Sequence, residues 1–215
     1  MFHDVVIIGN SGAGRECYWL LQDVMEAGAG VKFKGFLAFE GFKADLMDLS
    51  QFALGSDDAY SIQPNDVFVI AIGKPELRMK AYAKWKARGA SFFTLIHPTA
   101  NINKNTVMGE ANIFTRDCYI SCNVTVGSAN FFNGQVAVGH DCSIGDANFF
   151  APFSLLLSNN RVGSRNAFGA RSVLLPGAKV GNDNALAAGA FLYKGCRDNC
   201  VMAGNPAQDM TGERI

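Results

Sequence analysis

The sequence is poor in several features that mark common functional classes. It has no net charge, because 19 basic residues balance 19 acidic ones, whereas a nucleic-acid-binding surface needs a basic excess. No apolar run is long and uncharged enough to span a bilayer. No charged-then-apolar leader precedes the first strand, so we expect no secretory signal. The chain has only three histidines, and a single one, His140, lies within the repeats described below, which excludes a zinc site of three converging histidines there.

Cysteine usage indicates a reducing compartment. Two of the six cysteines, Cys118 and Cys142, fall on small inward positions of the repeats, which suits buried thiols better than disulfides. Cys196 and Cys200 have no partner cluster and are a weak signal for a metal. We therefore expect a cytoplasmic protein without a bound metal.

A six-residue repeat organises the second half of the chain. Every sixth residue from Ile102 to Leu192 is large and apolar. Six is neither the helical period of 3.6 nor a strand alternation, and it is typical of a parallel β-helix, in which one short strand and one turn form a face. A sandwich of unrelated short strands would not keep this phase. Three faces make one triangular coil, so residues 18 apart are predicted to be neighbours about 4.8 Å apart.

A longer period supports the same interpretation. Segments such as GEANIF (109–114) and GDANFF (145–150) recur every 18 residues, each opening with Gly. Each also carries an asparagine: Asn112, Asn130, Asn148, Asn166 and Asn184.

The first ninety-five residues follow a different pattern. Apolar runs predict strands that alternate with two helices, which indicates a parallel sheet with crossover helices. The predicted strands are Asp4–Ile8, Val31–Leu37, Val67–Ile72 and Ser91–Ile96, and the helices run to about Ala27 and from about Pro75 to Arg88. We therefore predict two domains, residues 1–96 and 97–215.

Ligands of parallel sheets bind at the carboxyl ends of the strands, which here groups Gly9–Arg15, Ala38–Glu40 and Gly73–Lys74 around one crevice. The glycine loop could turn its amides toward a phosphate. Its spacing is G-x-x-G-x-G, however, so a nicotinamide cofactor is not favoured, and a tight turn without a ligand is the alternative.

His140 is the candidate general base. It is two residues past the inward Val138, so it is expected at a corner, facing outward, and the adjacent Asp141 could orient its ring. The alternatives are a solvated turn residue, or a nucleophilic pair with Cys122 on the preceding coil. His97, at the seam of the two domains, is expected to be a packed junction residue.

Several segments together resemble one family. GNSGAGR (9–15), AIG (71–73), IHP (96–98), HDCSIGD (140–146) and AGNPA (203–207) are similar to the corresponding segments of bacterial nucleotide-sugar N-acetyltransferases of the sialic-acid-O-acetyltransferase-like, hexapeptide-repeat group. The resemblance covers nearly the whole chain.

The resemblance implies a small Rossmann-like domain followed by a left-handed parallel β-helix. It also implies a homotrimer with acetyl-CoA between neighbouring β-helices. The implied reaction is direct N-acetylation of a nucleotide-linked amino sugar, expected to be a dideoxy sugar, in cell-surface glycan biosynthesis. Catalysis maps onto His140 and Asp141. Sugar-nucleotide contacts are assigned to Ser11, Gly12, Ala13, Gly14, Arg15, Ala38 and Gly73, and acetyl-CoA contacts to Phe149, Ser158, Ala170 and Ala188.

Three positions depart from the family pattern. Many members have a histidine where this chain has Ala13, an acidic pair where it has Ala38-Phe39, and a second histidine where it has Phe149. Sugar O-acetylation and a non-catalytic sugar-nucleotide-binding trimer therefore remain as alternatives, with a dehydrogenase a distant third.

Overall fold

The computed structural model describes residues 3–40 and 44–212, and its first part is a four-stranded parallel sheet between two helices. The strands follow the order β3-β2-β1-β4. The elements are β1 (His3–Ile8), α1 (Gly12–Glu26), β2 (Val31–Ala38), a 3-10 helix (Met47–Phe52), β3 (Ala53–Ser56), β4 (Asp66–Ile70) and α2 (Pro75–Ala87).

The two faces of this sheet are both buried, which explains why its strands are continuous apolar runs. Val5 and Ile7 pack with α1, whereas Val6 and Ile8 pack with α2, including Trp85. Three predicted strands are confirmed. The prediction that Ser91–Ile96 is the fourth is wrong.

The fourth strand is β3, which the sequence does not reveal because its four residues are all exposed and include one large apolar side chain, Leu54. Within 91–96, Phe92 forms only an isolated bridge with Phe68. Leu95–Ile96 pairs instead with Ile113–Phe114 in the second part of the chain.

That second part is a left-handed parallel β-helix, as expected, built of short strands stacked into three faces. The covered face, which the first sheet and its helices overlie, contains Leu95–Ile96, Ile113–Phe114, Phe131–Phe132, Phe149–Phe150, Ala167–Phe168, Ala185–Leu186, Val201–Gly204 and Ala207–Asp209. The apolar face contains Asn101–Ile102, Tyr119–Ile120, Ala137–Val138, Leu155–Leu156, Val173–Leu174 and Phe191–Leu192. The polar face contains Val107–Met108, Thr125–Val126, Ser143–Ile144, Arg161–Val162, Lys179–Val180 and Gly195–Cys196.

The interior of the β-helix is a set of stacked columns, as the six-residue period predicts. The inward residues from Phe114 to Leu192 are buried in one cluster, and Ile102 and Met108 pack against it. Phe114, Phe132, Phe150 and Phe168 stack nearly parallel, with neighbouring ring centroids 4.6, 4.7 and 4.6 Å apart. Such stacking fills the narrow core with rigid apolar area.

A second buried column consists of the repeated asparagines. In Asn148, the side-chain Nδ2 donates to Oδ1 of Asn130 at 3.0 Å and to the carbonyl of Gly163 at 2.9 Å. Its own Oδ1 accepts from the backbone N and the Nδ2 of Asn166, both at 2.9 Å. The ladder satisfies buried backbone groups at the corner before the covered face, where a buried polar group without a partner would be costly.

Most corners from Ala111 onward turn through a left-handed residue, usually not glycine. These residues recur every six positions and include Ala111, Asp117, Asn123, Ala129, Gln135, Asp141, Ala147, Phe153, Asn159, Arg165, Arg171 and Asp183. Positive φ is uncommon for residues with a Cβ. Here the stacked coils on either side impose it.

The 18-residue register holds until the last coil and then changes. Phe191 still pairs with Val173, but Lys179 pairs with Gly195, so the final corner between the apolar and polar faces is shortened to Tyr193 and Lys194. Neighbours 18 apart are therefore confirmed except at this end.

The first sheet and the β-helix share a core. Leu95, Ile113 and Phe131 belong to the same buried cluster as Val5 and Ile7 of β1. The division into domains of residues 1–96 and 97–215 stays a prediction.

Candidate functional site

His140 lies at the corner between the apolar and polar faces, after the strand Ala137–Val138. Its side chain is 54% exposed, and its Nδ1 is 2.6 Å from Oδ2 of Asp141. Asp141 is one of the left-handed corner residues, with φ of 61°. The corner backbone therefore fixes the carboxylate against the imidazole, and Nδ1–H donation to it leaves Nε2 as the acceptor.

The Asp141 carboxylate is held from a second side. Asn123, at the same corner position one coil earlier, donates from Nδ2 to Oδ1 of Asp141 at 3.1 Å. Asn105, one coil earlier again, donates to Oδ1 of Asn123 at 2.6 Å. The hydrogen bonds from His140 and then Asn123 hold the pKa of Asp141 below its ordinary value.

Sequence reasoning missed Asn123. Asn105, Asn123 and Asp141 are spaced 18 residues apart, which predicts that they are neighbours on successive coils. That they hydrogen-bond to one another follows only from the structure, in which their corner column faces outward.

A cavity of about 320 Å³ adjoins His140 on the apolar side of the corner. Leu155, Tyr119 and Ser158 line it. In the part of the chain that the structure describes, Nε2 of His140 forms no protein hydrogen bond, so it is available to a substrate proton.

Cys122 is next to this corner, but its thiol does not engage the imidazole. Its backbone carbonyl accepts from the amide of Asp141 at 3.1 Å. Among residues 3–40 and 44–212, no hydrogen bond joins Sγ of Cys122 to His140, so the geometry gives the Cys–His pair no support.

The glycine loop follows β1 and leads into α1, as predicted. Ser11 is the N-cap residue of α1 and makes no side-chain capping bond. A Cβ on Gly14 would lie 2.3 Å from the carbonyl oxygen of Gly9, and Gly9 has φ of 121°. These two glycines are therefore required by close packing of strand and helix, whatever the loop binds.

A cavity of about 540 Å³ lies beside this loop. It is lined by Gly12, Ala13 and Arg15, together with residues of α1 and the 3-10 helix. Arg15 forms an ion pair with Asp45, 2.7 Å apart, so it is anchored at the cavity wall.

Ala38 is the last residue of β2 and Gly73 follows β4, on the same edge as the glycine loop. Glu40 is the carboxylate nearest in sequence to the end of β2, and Nζ of Lys80 binds it at 2.6 Å. This lysine holds the pKa of Glu40 below its usual range. The residues predicted for the sugar nucleotide thus lie along one edge of the sheet, and of them Gly12, Ala13 and Arg15 line the cavity beside the loop.

The residues predicted for acetyl-CoA lie on different edges of one chain. Ser158 is on the His140 edge, whereas Ala170 and Ala188 continue the column of Gly134, at the edge between the covered and apolar faces. Phe149 is on the covered face, where its ring is 5.8 Å from the guanidinium of Arg78. Within a single chain, these residues do not converge on His140.

The glycine loop and His140 are also apart. α1 faces the edge that contains Thr115 and Gly134 across a cavity of about 570 Å³, and the first sheet overlies the covered face. His140 is at the corner opposite that face. The cavity at His140 is lined only by residues of the β-helix. The cavity at the glycine loop is lined only by residues of the first part of the chain.

His97 is a buried junction residue, in agreement with its prediction. Its Nδ1 is 2.9 Å from Oγ1 of Thr99, and its Nε2 is 3.2 Å from Oδ2 of Asp23 on α1. Both ring nitrogens are occupied in joining the two parts of the chain.

Two further points concern the described residues alone. They contain no group of three or more His, Cys, Asp or Glu side chains that could hold a metal ion. Among these residues, no helix is both long enough and apolar enough to cross a bilayer.

The fold matches several solved structures over nearly its whole length. The acetyltransferase domain of PglB from Neisseria gonorrhoeae, in complex with acetyl coenzyme A, matches with a TM-score of 0.85 and 19% identity over 97% of this chain and 100% of that one. PerB from Caulobacter crescentus, in complex with CoA and GDP-perosamine, matches with a TM-score of 0.84 and 24% identity over 97% and 98%. WeeI from Acinetobacter baumannii matches with a TM-score of 0.77 and 20% identity over 96% and 99%.

No protein-family model matches the chain, and no curated protein matches it. At these identities the likeness establishes the shared fold.

Proposed function

We propose that this chain is an acetyl-CoA-dependent N-acetyltransferase that acts on the amine of a nucleotide-linked amino sugar. The observation that carries the proposal is the exposed His140 imidazole with Asp141 2.6 Å from its Nδ1. The fold of PglB and PerB supports the choice of substrates, because those structures contain acetyl coenzyme A, or CoA and GDP-perosamine. Structures of perosamine N-acetyltransferase with a histidine replaced by asparagine or alanine are also among the matches.

The chemistry is direct transfer. The sugar amine attacks the thioester carbonyl, a C–N bond forms, the C–S bond breaks, and CoA leaves as the thiolate. Nε2 of His140 accepts the proton that the amine loses, and the imidazolium can return it to the departing sulfur. Asp141 stabilises the imidazolium and fixes its tautomer, and a positioned base of this kind contributes about 10²–10⁴-fold in rate.

The acceptor is proposed to bind in the crevice formed by the glycine loop, Ala38 and Gly73. Amides at the N-terminus of α1 suit a diphosphate. Lys80 neutralises the negative charge of Glu40 at this edge. The edge therefore repels a polyanionic ligand less than it would with an unpaired carboxylate.

The active site is proposed to be shared between copies of the chain in a homotrimer. The apolar face carries outward Leu155, Val173 and Phe191, with Tyr119 47% exposed. A contiguous apolar face of this kind is typical of an association surface. Association through it would bring the Ala170 and Ala188 edge of one chain beside the His140 edge of the next, with acetyl-CoA between them.

The enzyme is proposed to act in the cytoplasm, since the cysteines of the described residues are free thiols, as expected in a reducing compartment. The proposed acetyl-CoA donor and nucleotide-sugar acceptor fit a role in cell-surface glycan biosynthesis.

The test is product analysis by mass spectrometry. UDP-, dTDP- and GDP-linked amino sugars, with matched sugars carrying a hydroxyl in place of the amine, are incubated with acetyl-CoA and the full chain. We expect acetylation of amino sugars only, and a different product bond would indicate O-acetylation. CoA that binds without any transfer would support the non-catalytic alternative.

Two single variants test which residue acts as the base. His140→Ala should lower kcat about 10²–10⁴-fold, while Cys122→Ser keeps activity. An active His140→Ala together with an inactive Cys122→Ser contradicts the mechanism.

A further inference from the structure

Two cysteines of the last coil, Cys196 and Cys200, line one cavity at the end of the β-helix. Cys196 is on the final strand of the polar face, and Cys200 directly precedes the strand Val201–Gly204 of the covered face. The cavity has a volume of about 320 Å³, and Arg197 and Asp209 also line it. Both thiols are half-buried, and both pack against the inner core of the β-helix.

The backbone of the last coil holds these two side chains in place. The carbonyl of Cys196 accepts from the amide of Gly181 at 3.0 Å, and the carbonyl of Cys200 accepts from the amide of Ala185 at 2.9 Å. The amide of Cys200 also donates to Oδ1 of Asn184, the last asparagine of the buried ladder, at 2.7 Å. Because both residues are bound to the preceding coil, side-chain rotation alone sets the separation of the two sulfur atoms.

The two thiols contact each other. Burial, and then the charge and the hydrogen bond of the neighbouring Cys200 thiol, raise the pKa of Cys196 to about 12. Cys196 is therefore protonated at neutral pH, and the first attack on a reagent falls to Cys200, since the thiolate is the nucleophile. A disulfide forms only between cysteines whose side chains approach each other closely, and thiols already in hydrogen-bond contact need only a change of rotamer.

The other four cysteines form no such pair. Cys17, Cys118 and Cys142 are buried, so a reagent in solution reaches them only after unfolding. Cys122 is half-buried, like the two cysteines of the last coil, but its neighbours in the corner column are Lys104 and His140 rather than a thiol. Oxidation of the folded chain should therefore be confined to the last coil.

The strand that carries Cys196 is an edge strand. In the part of the chain that the structure describes, Gly195–Cys196 is the last strand of the polar-face sheet. Its hydrogen bonds to the preceding strand include the one from the amide of Lys179 to the carbonyl of Lys194, at 2.9 Å. Bonds at such an end open more readily than those inside the stack. A covalent link from Cys196 to the corner that follows would hold this strand in place.

We propose that Cys196 and Cys200 are a redox modification site, at which a low-molecular-weight disulfide such as glutathione disulfide converts the two thiols to an intramolecular disulfide that locks the last coil. The thiolate of Cys200 attacks one sulfur of glutathione disulfide, a new S–S bond forms, and one glutathione thiolate leaves. Cys196 then attacks the sulfur of Cys200, loses its proton and releases the second glutathione. The pair thus loses two electrons and two protons, which are recovered in two molecules of reduced glutathione.

This site is independent of the proposed transfer reaction. In a reducing compartment the pair stays in the dithiol form, and a rise in the ratio of glutathione disulfide to glutathione oxidises it.

The experiment incubates the full chain with glutathione disulfide under native conditions, quenches the reaction with acid, alkylates the remaining thiols after unfolding and maps the cysteines by mass spectrometry. We expect one disulfide, between Cys196 and Cys200, which excess reduced glutathione reverses. Cys196→Ser should instead retain glutathione on Cys200, and Cys200→Ser should acquire neither link. Cys122→Ser removes a thiol of similar exposure and is the matched control, which should oxidise as the unaltered chain does.

Hydrogen exchange reports on the proposed lock. Oxidation should slow exchange at the amide of Lys179 severalfold in the unaltered chain and in Cys122→Ser, but not in Cys200→Ser. The amide of Thr125, on an inner strand of the same face, should exchange equally before and after oxidation.

Four outcomes would overturn the proposal. They are a stable glutathione adduct without an intramolecular link in the unaltered chain, no reaction at all, oxidation that appears only together with that of the buried cysteines, and unchanged exchange at Lys179 in the oxidised chain.

Discussion

Nδ2 of Asn123 donates to Oδ1 of Asp141 across adjacent coils at 3.1 Å, while Oδ2 of the same carboxylate is bound by His140. Asp141 is thus clamped between a neutral amide and the imidazole it orients. The position of the proposed base therefore depends on Asn123, which contacts Asp141 and not the imidazole itself.

This clamp predicts graded effects of substitution. Asp141→Asn removes the charge and should lower kcat about 10–100-fold, the range typical of groups that orient a reactive side chain. Asn123→Ala leaves the charge but frees one oxygen, so we expect a smaller, severalfold loss of kcat with KM unchanged. Steady-state kinetics checks both, and Lys104→Ala, in an exposed corner of the same edge, is the control. A larger effect of Asn123→Ala than of Asp141→Asn would contradict this order.

The pH dependence of activity should show no ionisation of Asp141 above its ordinary pKa. The pKa of Asp141 is lowered, so its carboxylate stays charged as the pH falls to its ordinary value of 3.8, and what it contributes is lost only below that point. Between about pH 8 and pH 5, the carboxylate therefore keeps its charge, so Asp141 should add no ionisation of its own to the pH profile of kcat/KM. Steady-state kinetics of the unaltered chain and of Asp141→Asn check this, and an ionisation in this interval that is absent from Asp141→Asn would show that Asp141 titrates there.

The buried asparagine ladder should be a main source of stability. Asn148→Ala removes two donated hydrogen bonds and leaves the carbonyl of Gly163 and the amide of Asn166 without partners. We expect a loss of about 2–5 kcal/mol in the free energy of unfolding, measured by urea denaturation at fixed protein concentration. The exposed Asn65→Ala should change it by less than about 0.5 kcal/mol, and equal effects of the two would refute the role of the ladder.

The apolar face should control assembly. Leu155→Lys places a charge in the proposed contact between copies, and we expect light scattering to report a mass below that of three chains, together with lost transfer activity. Thr125→Lys, which is outward on the polar face, should leave the mass unchanged. A trimer that survives Leu155→Lys would place the contact elsewhere.

The β-helix was predictable from the sequence because the residues that repeat every six positions are the ones that form its core. The inward column from Phe114 to Leu192 depends only on residue size and spacing, and both are visible in the amino-acid order. His140 could likewise be placed at an outward corner, since its offset from Val138 fixes where it lies.

Other features required coordinates. β3 is short and exposed, so no hydrophobic pattern marks it. Asn123 is an ordinary polar corner residue until its neighbour across the coils is known. The shortened last corner breaks the 18-residue count, and a period read along the chain cannot show where two residues are omitted. The separation of the glycine loop from His140 depends on which face the first sheet overlies, which is decided by packing of Ile113 and Phe131.

That separation has a genetic consequence. Consider a cell that makes two inactive variants of this chain, one without the His140 imidazole and the other with a disrupted glycine loop. Under the shared-site proposal, this cell would recover part of the transfer activity. Mixed assemblies would juxtapose an intact loop from one polypeptide with an intact imidazole from another. Alleles at the two positions should therefore complement each other, whereas two alleles at the same position should not.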